Sequence, residues 1–239
     1  MLKLCAWGVH LYTAMGAVAG LISLDRIASG DFRGAFIAMA VAVFIDSSDG
    51  PLARAIRIRD RVPWFDGALL DNIVDYVTYV VAPVFLMLRA GLIGPGRVSV
   101  LIAGFLILSS AYGFCHIEAK TEDNYFRGFP SYWNLVALYL YCLGLPAALN
   151  AGILIVLGVM VFVPIKYIYP NRTELMRPLT LVLAVVWAIA TIGMLPRVPA
   201  PNPILLYTSL GFVVYYFVMS FVLHAHPTRV AARRTLGPG

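Results

Sequence analysis

Twelve Asp and Glu residues occur in the 239-residue chain, and six of them fall between positions 46 and 75. Four of these, Asp46, Asp49, Asp71 and Asp75, are set in strongly apolar sequence: residues 38–45 precede Asp46, and an equally apolar course follows Asp75. A carboxylate in such a setting costs at least a few kcal/mol and needs a function to retain it. Spacings of three and four put Asp46, Asp49, Gly50, Ala53 and Arg54 on one face of a helix. The same rule puts Gly67, Asp71 and Asp75 on one face of the next. Joined by a short turn, the two helices are expected to face each other and to gather four carboxylates. Such a cluster needs divalent cations or protons to neutralise it. Oxygen ligands without His or Cys suit Mg²⁺ or Mn²⁺. Gly50 and Gly67 remove side chains where a phosphate-bearing ligand would approach, and Ala53 keeps the groove open. Arg54 adds a planar fork for phosphate oxygens. Two metal ions and an arginine around a polyanion are the ingredients of phosphoryl transfer. Buried acids also suit an ion or proton path in a transporter.

The elements that hold these residues must be membrane helices. Hydrophobic residues make up 61% of the chain and charged residues 13%, about half the charged share of a soluble domain. A chain this apolar cannot cover a globular surface with polar groups, so lipid is its solvent. Cytosolic enzymes, disordered chains and secreted disulfide scaffolds are excluded. Eight candidate spans run over residues 5–27, 33–56, 64–90, 97–117, 131–148, 150–169, 177–195 and 203–225. The boundary between the fifth and sixth, near Pro146, is the least marked. With the N-terminus inside, thirteen of the eighteen Lys and Arg residues fall on the inner side, so both termini are expected in the cytoplasm. The net charge of +6 sits beside apolar runs, where a membrane rather than nucleic acid explains it. Gly16 and Gly20 in the first span read as a helix-packing pair. Cys5, Cys115 and Cys142 have neither metal-ligand spacing nor partners for a disulfide framework. No linker or repeat divides the chain, which reads as one all-α membrane domain over 1–239.

Written out, residues 46–54 are D-S-S-D-G-P-L-A-R and residues 67–75 are G-A-L-L-D-N-I-V-D. This pair closely resembles the CDP-alcohol phosphotransferase signature D-x-x-D-G-x-x-A-R…G-x-x-x-D-x-x-x-D, matching all eight fixed positions. Chance would produce it on the order of once in 10¹⁰ starting points. The spacer of twelve residues, 55–66, is longer than in most of the family. That spacer, the eight spans and the aromatic stretch Tyr125-Phe126-Arg127-Gly128-Phe129-Pro130-Ser131-Tyr132-Trp133-Asn134 resemble a bacterial branch that joins CDP-diacylglycerol to choline and releases CMP.

The resemblance implies roles position by position. Asp46, Asp49, Asp71 and Asp75 match the metal ligands for Mn²⁺ or Mg²⁺, two ions per site, and Asp75 also matches the proposed general base. Gly50, Ala53, Arg54 and Gly67 match positions that shape the CDP and pyrophosphate site, and Thr13 the first-span element beside the nucleotide. It further implies a homodimer in the bacterial inner membrane with its site facing the cytoplasm. Choline offers no N–H, so aromatic faces must bind it, at about 0.5–2 kcal/mol each. Tyr125, Tyr132 and Trp133, with Glu118 as the electrostatic partner, are the residues expected to do so. The alternatives are the same chemistry with serine, glycerol phosphate or inositol phosphate as acceptor, and a cation-coupled transporter.

Overall fold

The computed structural model describes residues 2–116, 125–168 and 177–225, and it is helical almost throughout. The first two helices, α1 (Leu2–Ala28) and α2 (Phe32–Ala55), pack against each other along their length. Between them Gly30 takes a left-handed φ of +80°, and the Asp31 carboxylate caps α2 by accepting the Gly34 N–H at 2.8 Å. After α2, Arg57 adopts φ +49° and a single helical turn, α3 (Ile58–Arg61), follows. The Arg61 Nε donates to the Ile56 carbonyl and closes the loop locally.

Helix resumes at α4 (Gly67–Asp75), where the Asp66 carboxylate accepts the N–H groups of Ala68 and Leu69, both at 3.0 Å. It continues through a π-helical stretch, Tyr76–Val81, into α5 (Ala82–Arg89), so 67–89 forms one span. Pro83 offers no N–H to the Tyr79 carbonyl, and the wider π spacing lies just before it. The chain then forms α6 (Arg97–Cys115), α7 (Trp133–Leu143), α8 (Ala147–Met160), α9 (Arg177–Met194) and α10 (Pro203–Ala225). A two-stranded antiparallel ribbon, β1 (Tyr125–Arg127) with β2 (Lys166–Ile168), is added to the expected all-helical plan.

Among the described residues, six helices are long and apolar enough to cross a membrane. The expected fifth and sixth spans are shorter than the sequence suggested. With 11 and 14 residues, α7 and α8 rise only about 16 and 21 Å, against a hydrocarbon core of about 30 Å. Gly144 in the left-handed region and Pro146 separate them. Outward-facing Leu4, Phe44, Leu101, Leu108 and Ile204 are all exposed, a surface that only lipid accommodates. The protein is a multi-pass membrane protein.

One apolar core joins α1, α2, α5, α6, α7 and α8 through Ile27, Phe36, Met87, Leu106, Trp133 and Leu154. Gly16 and Gly20 of α1 do serve close packing: a Cβ on Gly16 would lie 2.6 Å from Val74 Cγ1, and one on Gly20 would lie 3.0 Å from Val77 Cγ1. α1 therefore packs along both α2 and α4. The two carboxylate-bearing helices converge on one cleft, as the sequence suggested, and α1 adds a further wall to it.

Candidate active site

A cleft opens where α1, α2 and α4 meet, lined by Thr13, Gly16, Ala42, Ile45, Asp46, Asp49, Asp71, Val74 and Asp75. One carboxylate oxygen each from Asp46, Asp49 and Asp71 can be chosen so that all lie within 4.8 Å of one another. Asp49 is buried, and Asp46 and Asp71 are half-buried. Three anions this close in an apolar wall repel strongly unless a cation sits among them. Their all-oxygen donor set fits a hard divalent ion and offers nothing to a soft metal. Asp75 lines the same cleft beside the trio but is outside it.

Two hydroxyls orient the trio. Thr13 Oγ1 donates to Asp49 Oδ2 at 2.7 Å, and both residues are buried. Thr13, which the resemblance set beside the nucleotide, makes one of the shortest hydrogen bonds in the cleft. Tyr79 Oη donates to Asp46 Oδ2, also at 2.7 Å, from the π-helical stretch. Sequence reasoning missed it, although it was within reach: the four-residue row 67, 71, 75 lands on 79 at its next step. Donors of this kind fix ligand orientation and commonly tune metal affinity by 10- to 100-fold, about 1.4–2.8 kcal/mol.

Gly50, Ala53 and Arg54 continue along α2 from the trio toward its exposed end, where Pro51 leaves the Ser47 carbonyl without a helical donor. The Arg54 guanidinium lies over Gly50, with Nη1 3.3 Å from where a Cβ would stand. Arg54 is exposed, and Gly50, Ala53 and Arg54 are not among the residues that line the cleft. Gly67 differs from expectation. The space that its missing side chain leaves is occupied by His10 of α1, whose Cε1 would stand 2.7 Å from a Cβ. That imidazole is buried, packs on Phe65 at 4.5 Å between ring centroids, and its Nε2 has no hydrogen-bond partner among the described residues. Gly67 thus admits a histidine rather than leaving an open approach.

The aromatic residues expected to hold a cationic acceptor separate into distinct surroundings. Trp133 is fully buried, with Nε1 donating to Ser110 Oγ at 2.7 Å and its ring edge-on to Phe129. The structure thus sets Trp133 in the apolar core, apart from the residues that line the cleft. Tyr132 is half-buried, and its ring lies 6.0 Å from that of Tyr79, on the Asp46 side of the molecule. Glu118 lies outside the described residues; Tyr125 falls on β1.

Comparison with known proteins agrees with this geometry. A family model for CDP-alcohol phosphatidyltransferase matches residues 9–164, which include every carboxylate of the cleft. The chain is 38% identical to phosphatidylcholine synthase from Legionella pneumophila over 229 residues, covering 93% of this chain and 89% of that one. It is 39% identical to phosphatidylcholine synthase from Legionella bozemanae over 218 residues, covering 88% of this chain and 100% of that one. It is 35% identical to the Pseudomonas aeruginosa phosphatidylcholine synthase over 204 residues, 85% of each chain. With the matched segment wrapped around the carboxylate cleft, the chain belongs to the CDP-alcohol phosphatidyltransferase family.

Proposed function

We propose that this chain transfers the phosphatidyl group of CDP-diacylglycerol to choline, giving phosphatidylcholine and CMP. The observation that carries this reading is the gathering of the signature carboxylates around one cleft, in a chain that spans most of the length of relatives named phosphatidylcholine synthase. In this reading Asp75 accepts the proton of the choline hydroxyl as its oxygen bonds to the phosphorus that bears diacylglycerol. The bond from that phosphorus to the bridging oxygen breaks, and CMP leaves with the electron pair. Asp75 suits the role because it lines the cleft without belonging to the trio. Mn²⁺ or Mg²⁺, two ions per site held by Asp46, Asp49 and Asp71 with Asp75 alongside, would neutralise the diphosphate and ease loss of CMP. Thr13 and Tyr79 hold two of those carboxylates in place, and Arg54 at the rim reaches the diphosphate with Gly50 and Ala53 beneath it. Gly67 acts on the nucleotide side through His10. Tyr132 contributes an aromatic face to choline, joined by Tyr125 and Glu118.

The same reading takes 1–239 as one membrane-embedded unit. Both termini and the cleft face the cytoplasm, in the bacterial inner membrane. Two copies form a homodimer. Release of CMP from CDP-diacylglycerol, followed with choline, serine and glycerol 3-phosphate in turn, tests the acceptor. Release that needs choline supports the reading, and release with another acceptor alone replaces it.

A further inference from the structure

Helix α1 meets the span that begins with α4 in close pairs that fix how far one lies along the other. Deeper in the span the holes are on α1. A Cβ on Gly16 would lie 2.6 Å from Val74 Cγ1, and one on Gly20 would lie 3.0 Å from Val77 Cγ1. At the start of α4 the roles reverse. His10 of α1 is the knob and Gly67, the opening residue of α4, is the hole: a Cβ there would lie 2.7 Å from His10 Cε1 and 3.2 Å from its Nδ1. The pairs run in step, His10 with Gly67, Gly16 with Val74 and Gly20 with Val77, as two parallel helices require.

Holes placed on one helix alone would let the other slide by a turn from one to the next; exchanging knob and hole at one end prevents it. If α4 moved one turn, about 5.4 Å, toward the start of α1, the residue meeting His10 would be Asp71, which offers no hollow. His10 is 6% exposed, and aromatic rings hold it from its other sides, Phe65 of the spacer at 4.5 Å and Trp7 at 5.9 Å between centroids. Its Nε2 has no hydrogen-bond partner among the described residues, so the ring sits here by shape and ring contact. This register bears on the cleft one turn further on. Thr13, three residues past His10, donates to Asp49 of α2 at 2.7 Å, and Asp71, four residues past Gly67, lines the same cleft. The oxygens of Asp46, Asp49 and Asp71 gather within 4.8 Å, less than a one-turn slip would move Asp71.

We propose that His10 is a positioning residue for the carboxylate trio. Seated in the Gly67 hollow, it sets the register of α4 on α1 and with it the distance of Asp71 from Asp49. This rests on the reading of the trio as the metal site. His10 acts through α4 alone, and Thr13 acts on Asp49 directly, so one face of α1 places carboxylates from both neighbouring helices. Glycine at 67 is then required by the ring that it receives.

The test is a double-mutant cycle in the full-length protein: Gly67→Ala, His10→Ala and the two combined. Each variant is followed by its thermal melt, by the Mn²⁺ concentration giving half of the metal-induced rise in melting temperature, and by turnover at saturating Mn²⁺. Gly67→Ala is expected to raise the Mn²⁺ midpoint roughly tenfold and to cut turnover by up to about 10²-fold. In the His10→Ala background the same alanine should add nothing, its midpoint staying within about twofold of His10→Ala alone. If Gly67→Ala does not fold, a combined variant that folds with the midpoint of His10→Ala supports the assignment. A combined variant that also fails to fold overturns it, as does a Gly67→Ala effect of equal size in both backgrounds. Coupling in the melt without coupling in the Mn²⁺ midpoint marks a packing residue and overturns the positioning role. A wild-type melt that does not respond to Mn²⁺ removes the metal reading and this assignment with it. The melt involves no acceptor, so transfer to another alcohol would replace the choline reading and leave this test as it stands.

Discussion

Thr13→Val is the most informative single change in the cleft. Valine keeps the β-branched shape on α1, so what is lost is one hydroxyl, and with it the 2.7 Å bond to Asp49 Oδ2. A hydrogen bond to a charged group is worth about 1.5–3 kcal/mol, and both partners here are buried, which places the loss toward the middle of that range. Part of that energy is the orientation of Asp49, which must be met anew when the carboxylate takes up an ion. A net loss of about 1.4 kcal/mol is then expected, which is a tenfold weaker hold on the metal. The assay is a Mn²⁺ titration read in two ways: the concentration giving half-maximal phosphatidylcholine formation, and the concentration giving half of the metal-induced rise in melting temperature. Both midpoints should move up by about tenfold while the maximal rate at saturating metal changes little. A midpoint that stays at the wild-type value in both readings would show that Asp49 holds no ion, and the geometric reading of the trio would be wrong.

Three further outcomes follow from the same packing. Asp75→Asn should leave the melt and its metal dependence near wild type while turnover drops by about 10²- to 10⁴-fold, the range for loss of a general base; near-normal turnover removes Asp75 from that role. Gly16→Ala adds a methyl 2.6 Å from Val74 Cγ1, which α4 must yield to, at about 1–3 kcal/mol; a melt equal to wild type would mean that α4 is not held against α1 there. Trp133→Phe removes the donor to Ser110 and part of a fully buried ring, so it should destabilise by about 2 kcal/mol or more and leave the choline KM unchanged. A selective rise in that KM would return Trp133 to the acceptor site.

How much of this was legible beforehand can be read from individual residues. The metal trio and Asp75 were visible because helical spacing alone places i, i+3 and i+4 on one face, and because a carboxylate within apolar sequence demands a reason. Gly16 and Gly20 were correctly read as packing residues, but spacing cannot say which helix they receive. Only the folded chain shows that α4 lies against them, so that α1 becomes a wall of the cleft. Tyr79 was hidden because tyrosine in a membrane span reads as ordinary core, and the π-helical stretch that carries it has no composition of its own. Trp133 and Tyr132 are adjacent in sequence and chemically alike. A left-handed Ser131 and a buried Ser110 partner send one into the core and leave the other beside Tyr79. The lengths of α7 and α8 were misjudged because apolar residues continue through the Gly144–Pro146 break, and hydrophobicity does not register a change of direction.

The most direct measurement is the incorporation of labelled choline into chloroform-soluble lipid, by membranes that express this chain in a host lacking phosphatidylcholine. The membranes are supplied with CDP-diacylglycerol and Mn²⁺, with and without EDTA. Label should appear in phosphatidylcholine in step with CMP, disappear with EDTA and return when Mn²⁺ is restored in excess. Folded protein that incorporates no choline under these conditions, or that does so equally well in EDTA, would contradict a metal-assisted transfer at the Asp46, Asp49 and Asp71 cluster.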